Sequence, residues 1–222
     1  MNAQLDASTR DWAAVRADFP LLTREVHGKP LIYLDSANTG QKPASVIDTI
    51  DDFYRHHNAN VSRAVHALGS EATEAYEESR TKLAGFLKAH RDELVLCSGT
   101  TFALNLVAYS WALPRLKPGD AILLSRMEHH ANIVPWQLVA ERTGAKIKVA
   151  EIHENGTLDL DALYAVMTPE VKILGLSHVS NVLGTVNPVR EICREARRRG
   201  IASVIDGSQA APHRALDIPS LG

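Results

Sequence analysis

The sequence has only two cysteines, Cys97 and Cys193, far apart and without C-x-x-C spacing. That leaves no disulfide framework and no zinc knuckle. It also lacks a surplus of either charge: 24 Lys and Arg stand against 26 Asp and Glu, a formal net charge of −2. A general nucleic-acid or anionic-membrane binder concentrates basic charge on one face, so neither class is expected. The densest basic stretch, Arg194 to Arg199, is short and followed by Gly200; it reads as favourable charge at a helix C-terminus. No apolar run approaches the roughly 20 residues that cross a bilayer, and Met1 to Arg10 has no apolar signal core. The expected location is therefore cytoplasmic, with no membrane partner. Internal repeats and low-complexity segments are absent, as are G-x-x-x-x-G-K-S/T and G-x-G-x-x-G. Neither a P-loop nucleotidase nor a dinucleotide-binding domain has its usual signature here.

What is present is an ordinary globular composition, 45% apolar over 222 residues, long enough to bury a sizeable core in one large domain or two. Trp12 to Phe19 is expected to be a short helix after Ser8 and Thr9, stopped by Pro20. Pro43 can open a helix to about His57, and Ser70 can cap a longer one from Glu71 to about Leu87, with a loop from Asn58 to Gly69 between them. From Glu93 onward the rhythm changes. Strands are predicted at Leu94 to Cys97, Ala121 to Leu124, Lys146 to Ala150, Lys172 to Ser177 and Ile201 to Ile205. Helices are predicted at Phe102 to Trp111, Ala131 to Thr143, Asp159 to Met167 and Pro188 to Arg199. Strands spaced by such helices imply βαβ crossovers, hence an α/β fold with a mainly parallel sheet and helices on both faces. In such sheets ligands sit beyond the carboxyl ends of the strands.

The residues just after each apolar run are therefore the ones to read. Ser98-Gly99-Thr100-Thr101 leads into a helix; its amides and hydroxyls suit an anion, or form a simple cap. Cys97 reads as a core side chain rather than a nucleophile, and Cys193 as a packed one. Met127-Glu128-His129-His130-Ala131-Asn132 follows the second strand. It lacks H-E-x-x-H spacing, so a shared metal is a poor reading. A flat imidazole there can stack on an aromatic cofactor or be an ordinary hydrogen-bonded surface histidine. Asn181 can donate to a phenolate oxygen or close a turn. Asp206 follows a buried strand, where an unpaired carboxylate is costly. A helix N-cap or a protonated pyridine nitrogen would each supply the partner it needs.

In order, Leu34-Asp35-Ser36-Ala37, Gly99-Thr100-Thr101, Met127-Glu128-His129-His130-Ala131-Asn132-Ile133-Val134-Pro135-Trp136, His178-Val179-Ser180-Asn181-Val182-Leu183-Gly184 and Asp206-Gly207-Ser208-Gln209-Ala210 resemble the class V aminotransferase family. More narrowly, they resemble the SUF-type (group II) cysteine desulfurases. The resemblance runs from about Asp18 to the last residue. It implies a fold type I enzyme dependent on pyridoxal 5′-phosphate (PLP), with residues 1–30 as an N-terminal helical arm and 31–222 as an incomplete PLP-binding large domain. The implied reaction removes sulfur from L-cysteine, leaving alanine and an enzyme persulfide destined for iron–sulfur cluster assembly. The implied partners are a second copy, as homodimer, and a sulfur-acceptor protein.

Carried across by residue, the resemblance makes Thr100 and Thr101 phosphate ligands and stacks His129, as a catalytic residue, on the pyridine ring. It sets Asn181 and Gln209 near the phenolic oxygen, puts Asp206 on the pyridine nitrogen and places Ala37 on the substrate side. Asn38-Thr39 stands where Ala-Ser/Thr is usual, and Ser208 where Ala is usual. The family's Schiff-base lysine, persulfide cysteine and substrate-carboxylate arginine belong to a segment beyond Gly222. Within the family, selenocysteine lyase and other class V enzymes are alternatives. Outside enzymology, a non-catalytic PLP-binding or dimerisation remnant is the alternative. The stretch Leu216 to Gly222 is expected to approach a further strand, leaving an exposed edge and low solubility.

Overall fold

The computed structural model describes residues 11–63 and 65–222. Met1 to Arg10, including Ser8 and Thr9 proposed to precede the first helix, lie outside the described residues. The chain forms two compact units, a first ending at Glu78 and a second spanning Ser79–Gly222.

In the first unit, Asp11 caps α1 (Trp12–Ala17): its Oδ1 accepts from the amides of Ala13 and Ala14 at 3.0 and 3.1 Å. A two-residue hairpin joins β1 (Glu25–Val26) and β2 (Lys29–Pro30) through His27 and Gly28, both at positive φ, the backbone twist that tight hairpins favour. Pro43 precedes α2 (Ala44–Asp52), which continues through one wider π-helical turn, Phe53–His57. The long helix α3 (Ala67–Leu87), whose residues from Ser79 on belong to the second unit, starts earlier than the expected Ser70 cap. The imidazole of His66 does the capping instead, accepting from the Gly69 amide at 3.2 Å through Nδ1. Ser70 lies inside the helix.

The second unit carries the sheet. Strands β3 (Ala121–Ser125), β4 (Lys146–Ala150), β5 (Val171–Ser177) and β6 (Ala202–Asp206) are all parallel, in the order β4-β3-β5-β6. They coincide with four of the predicted strands to within a residue at each end. The central pair is buried on both faces, as near-continuous apolar runs require. The helices α4 (Thr100–Leu106), α5 (Val134–Thr143), α6 (Leu160–Val166) and α7 (Val189–Arg198) occupy the predicted intervals. One face of the sheet packs Leu123, Leu174 and Leu176 against Leu163, Val189 and Ile192 of α6 and α7. The other packs Ile122, Leu124 and Ile173 against Trp136 and Val139 of α5.

One expected strand does not form, and the last residues include a helical turn. Leu94 to Cys97 is not a strand. The backbone at Leu94 is extended, but no ladder forms, because none of the four parallel strands of the described residues pairs with it. With that face uncovered, Val95 is 69% exposed, and Cys97 is exposed rather than in the core. Leu216 to Gly222 is not itself extended. It ends in α8 (Ile218–Leu221), because Asp217 caps it, accepting from the Ser220 amide at 3.1 Å, and Pro219 suits a first turn.

Gly175, in the middle of β5, is fixed by close approach. A Cβ there would sit 2.7 Å from Leu124 Cδ2 and 3.2 Å from both Asn132 Oδ1 and Trp136 Nε1. Gly175→Ala is expected to cost about 1–3 kcal/mol by overpacking. Urea unfolding reads this as a lower midpoint at unchanged slope; an unchanged midpoint would contradict the packing.

Candidate functional site

The strand order reverses between β3 and β5. The chain steps outward from β3 to β4, then returns past β3 to lay down β5 and β6. The crevice beyond the carboxyl ends of such a pair is where open α/β sheets bind ligands. Its floor is a buried carboxylate. Glu128, 8% exposed, follows β3 and reaches across to the end of β5. Its Oε1 accepts from the Ser125 hydroxyl and from the Ser177 amide at 3.0 Å. Its Oε2 accepts from the Ser177 hydroxyl and from Asn132 Nδ2, both at 2.7 Å. Asn132 Oδ1 in turn accepts from the indole of Trp136 at 2.8 Å. Burial pushes the Glu128 carboxyl above the ordinary glutamate range, against the opposing pull of these donors. Hydropathy patterning does not reveal this cluster. Its trace is the spacing Ser125, Glu128, Asn132, Trp136, polar or indole groups three and four apart beginning at the last residue of an otherwise apolar strand.

Just above this floor, His129 is exposed and caps the turn His130–Asn132: its Nδ1 accepts from the Ala131 amide at 3.1 Å. That bond leaves Nε2 as the protonated nitrogen of the neutral ring. His129 is thus both a surface histidine and a structurally bonded one, and its ring remains open to stacking.

Asp206 ends β6 in register with Ser177 of β5 and is 6% exposed. Its Oδ1 accepts from the amide and hydroxyl of Ser208, at 2.9 and 2.6 Å. Oδ2 takes no hydrogen bond among the described residues. Among the described residues, the partner of this carboxylate is therefore a turn two residues on, neither a helix cap nor a cation. The Ser208 hydroxyl also lies 2.9 Å from Thr100 Oγ1. A hydroxyl has one proton to give, and here the carboxylate takes it, so Thr100 donates to Ser208. Thr100, Ser208 and Asp206 therefore form one relay that ties the start of α4 to the end of β6. Ser208 was not among the expected site residues, although it lies within the Asp206 to Ala210 stretch and stands where Ala is usual.

Thr101 is exposed on the first turn of α4, which Gly99 enters with no side-chain cap. Asn181 is exposed on the turn after β5, which is closed by the Ser180 and Thr185 backbones at 3.0 Å and by the Ser180 hydroxyl. Gln209 is half-buried, three residues beyond Asp206. Ala37 belongs to the first unit, exposed in a turn closed by the Asp35 carbonyl, which accepts from Asn38 and Thr39 at 3.1 and 3.0 Å. His178 is buried beside β5, where desolvation lowers its pKa. Cys193 is packed inside α7, where burial pushes its thiol up. Among the described residues no three metal-ligating side chains cluster, and no helix is long and apolar enough to cross a membrane.

This parallel α/β architecture gathers Glu128 and Asp206 at the carboxyl edge of the sheet, where open sheets of this kind offer a ligand-binding crevice. Residues 32–222 match the family model for class-V aminotransferases, and the chain belongs to that family. It is 72% identical over 212 residues to a probable cysteine desulfurase of Xylella fastidiosa (strain 9a5c), covering 96% of this chain and 51% of that protein. A cysteine desulfurase of Enterobacter sp. (strain 638) is 49% identical over 93% of this chain and 51% of its own length. Among solved structures, the cysteine desulfurase CsdA of Escherichia coli superposes with a TM-score of 0.83 at 38% identity, over 94% of this chain and 51% of that one. That of Thermococcus onnurineus NA1 gives 0.88 at 37%, over 97% and 52%. The chain spans about half the length of the relatives it matches.

Two outcomes are expected. Ser208→Ala, which removes the link between Asp206 and Thr100, should lower stability by about 1 kcal/mol in denaturant titration; no change would mean that the relay does not form in solution. The raised Glu128 pKa sets a sign for pH dependence. Between the ordinary glutamate value and the raised one, the native state keeps a proton that the unfolded chain has lost, so this group's contribution is full at lower pH and is lost as pH rises through that window. The stability of Glu128→Gln relative to the wild type should therefore improve with rising pH there. A flat difference would contradict the buried carboxyl.

Proposed function

We propose that this chain is the cofactor-binding half of a PLP-dependent cysteine desulfurase, and that L-cysteine is the substrate of the whole enzyme. The observation that carries the reading is the meeting of Asp206, Ser208 and Thr100 at the carboxyl edge of the sheet, on a chain whose relatives are named as cysteine desulfurases. The donor set fits the cofactor. Asp206 is a buried carboxylate with Oδ2 unbonded among the described residues, as a ring N–H requires, and His129 offers an open ring face.

When bound, PLP supplies an electron sink for bond breaking at the amino acid's α-carbon and beyond. The chain's own groups do the holding. Asp206 keeps the proton on the pyridine nitrogen, the condition for the ring to draw electrons. The Thr101 hydroxyl and the backbone amides at the start of α4, that of Thr100 included, take the phosphate, while the Thr100 hydroxyl stays committed to Ser208. His129 stacks on the ring and, with Nδ1 committed to Ala131, presents Nε2–H at the substrate side. Asn181 and Gln209 face the phenolic oxygen. The overall reaction leaves alanine and an enzyme persulfide for iron–sulfur cluster assembly by way of a sulfur-acceptor protein. The working form is a cytoplasmic homodimer.

None of the eight lysines follows Asp206. Lys148 is committed to Glu170, and Lys88 to Asp217. By the family resemblance, the lysine that anchors PLP follows the Asp206 motif, a stretch in which this chain has no lysine. The 222-residue chain alone is expected to bind PLP reversibly and to release little or no sulfide from cysteine.

Titration with PLP, followed by its absorbance, tests this. Saturable binding should weaken tenfold or more, about 1.4 kcal/mol, in Asp206→Ala and in His129→Ala, and should be unchanged in Cys97→Ser. Equal loss in all three variants, or a stoichiometric lysine adduct after borohydride reduction, would contradict the reading.

A further inference from the structure

We infer that Glu128 is the positioning residue for His129. Its buried carboxylate, held by Ser125 of β3, Ser177 of β5 and Asn132, locks the turn that presents the imidazole. The geometry brackets His129 on both sides. Glu128 precedes it and is bonded to two strand ends and to Asn132. Asn132 follows it by three residues, is bonded to Glu128 and Trp136 through its side chain, and donates its own amide to the His129 carbonyl at 2.7 Å. Between these anchors the Ala131 amide is aimed at His129 Nδ1. The ring's tautomer and tilt are therefore set by a buried cluster that never touches a ligand. The inference rests on the PLP reading only for its effect on cofactor affinity.

The chemistry of the cluster makes the claim specific. Four donors point at the two carboxylate oxygens, two at each. The two serine hydroxyls can turn to accept; the Ser177 amide cannot. The Asn132 amide group cannot turn either, since its oxygen is held by Trp136. In Glu128→Gln the new NH2 must therefore face a donor in either orientation: the Ser177 amide if it replaces Oε1, Asn132 Nδ2 if it replaces Oε2. A buried donor left without an acceptor is costly. The double variant Glu128→Gln/Asn132→Asp removes the conflict. The introduced carboxamide then donates to the introduced carboxylate and to the Ser177 hydroxyl, while its oxygen keeps the Ser125 hydroxyl and the Ser177 amide. The introduced carboxylate still accepts from Trp136.

The test uses the full 222-residue chain without cofactor, by nitrogen-15 NMR of the His129 ring together with amide hydrogen exchange. In the wild type His129 should show the single Nε2–H tautomer. In Glu128→Gln it should become a tautomeric mixture. The Ala131 and Asn132 amides should exchange at least tenfold faster while the β3–β5 ladder keeps its protection. The double variant should restore both signals. PLP affinity should follow the same pattern, about tenfold weaker in the single variant and recovered in the double.

A His129 tautomer and turn exchange unchanged in Glu128→Gln would overturn the inference. If the single variant loses protection throughout the sheet, the double variant decides: wild-type His129 signals support the positioning role, and altered signals or a sheet still unprotected overturn it. Failure of the wild type to bind PLP would remove the cofactor reading, whereas the clamp stands or falls on the His129 signals.

Discussion

A carboxylate buried between two parallel strand ends is the constraint on which the site depends. Glu128 cannot be left unsatisfied at that depth, so Ser125, Ser177 and Asn132 must all be in place at once. Satisfying them brings the carboxyl ends of β3 and β5 to one level at the point where the strand order reverses. The next strand, β6, is laid in register on β5, so Asp206 arrives beside Ser177. One buried charge thereby sets the height of the floor on which the remaining groups stand.

Above that floor the polar groups are committed in layers. Inner oxygens and amides satisfy one another, while the atoms suited to a ligand are left toward the edge: Oδ2 of Asp206, the open ring of His129 and the hydroxyl of Thr101. Ser208 couples two of these elements by linking Asp206 to Thr100. A ligand that bridges a helix start and a strand end thus meets a pair already held together, which reduces the ordering cost of binding.

The strands of the sheet are legible in the sequence because β3 and β5, buried on both faces, are near-continuous apolar runs, interrupted by Lys172 and ended by Ser125 and Ser177. The turn and helix punctuation by Pro118-Gly119, Asn155-Gly156 and Pro188 fixes the intervals between them. Leu94 to Cys97 has the same apolar content, yet it is no strand, because a strand needs a hydrogen-bonded neighbour and local sequence does not say whether one exists. Ser70 is a good cap residue displaced by a better placed imidazole at His66. His129 and Asp206 stand out as candidates because each follows a predicted strand that does form, whereas Thr100 follows Leu94 to Cys97, which forms none. Glu128 and Ser208 do not stand out, because their importance lies in partners 49 and 108 residues away in sequence, a distance no local pattern spans.

The central claim is that Asp206 holds a proton on the nitrogen of a pyridine ring stacked by His129. The nitrogen-15 shift of ring-labelled PLP bound to this chain measures that directly. The account requires a pyridinium shift that persists several pH units above the value at which the free cofactor loses the proton, and its loss in Asp206→Asn. A neutral pyridine nitrogen in the bound cofactor of the intact chain would contradict the account.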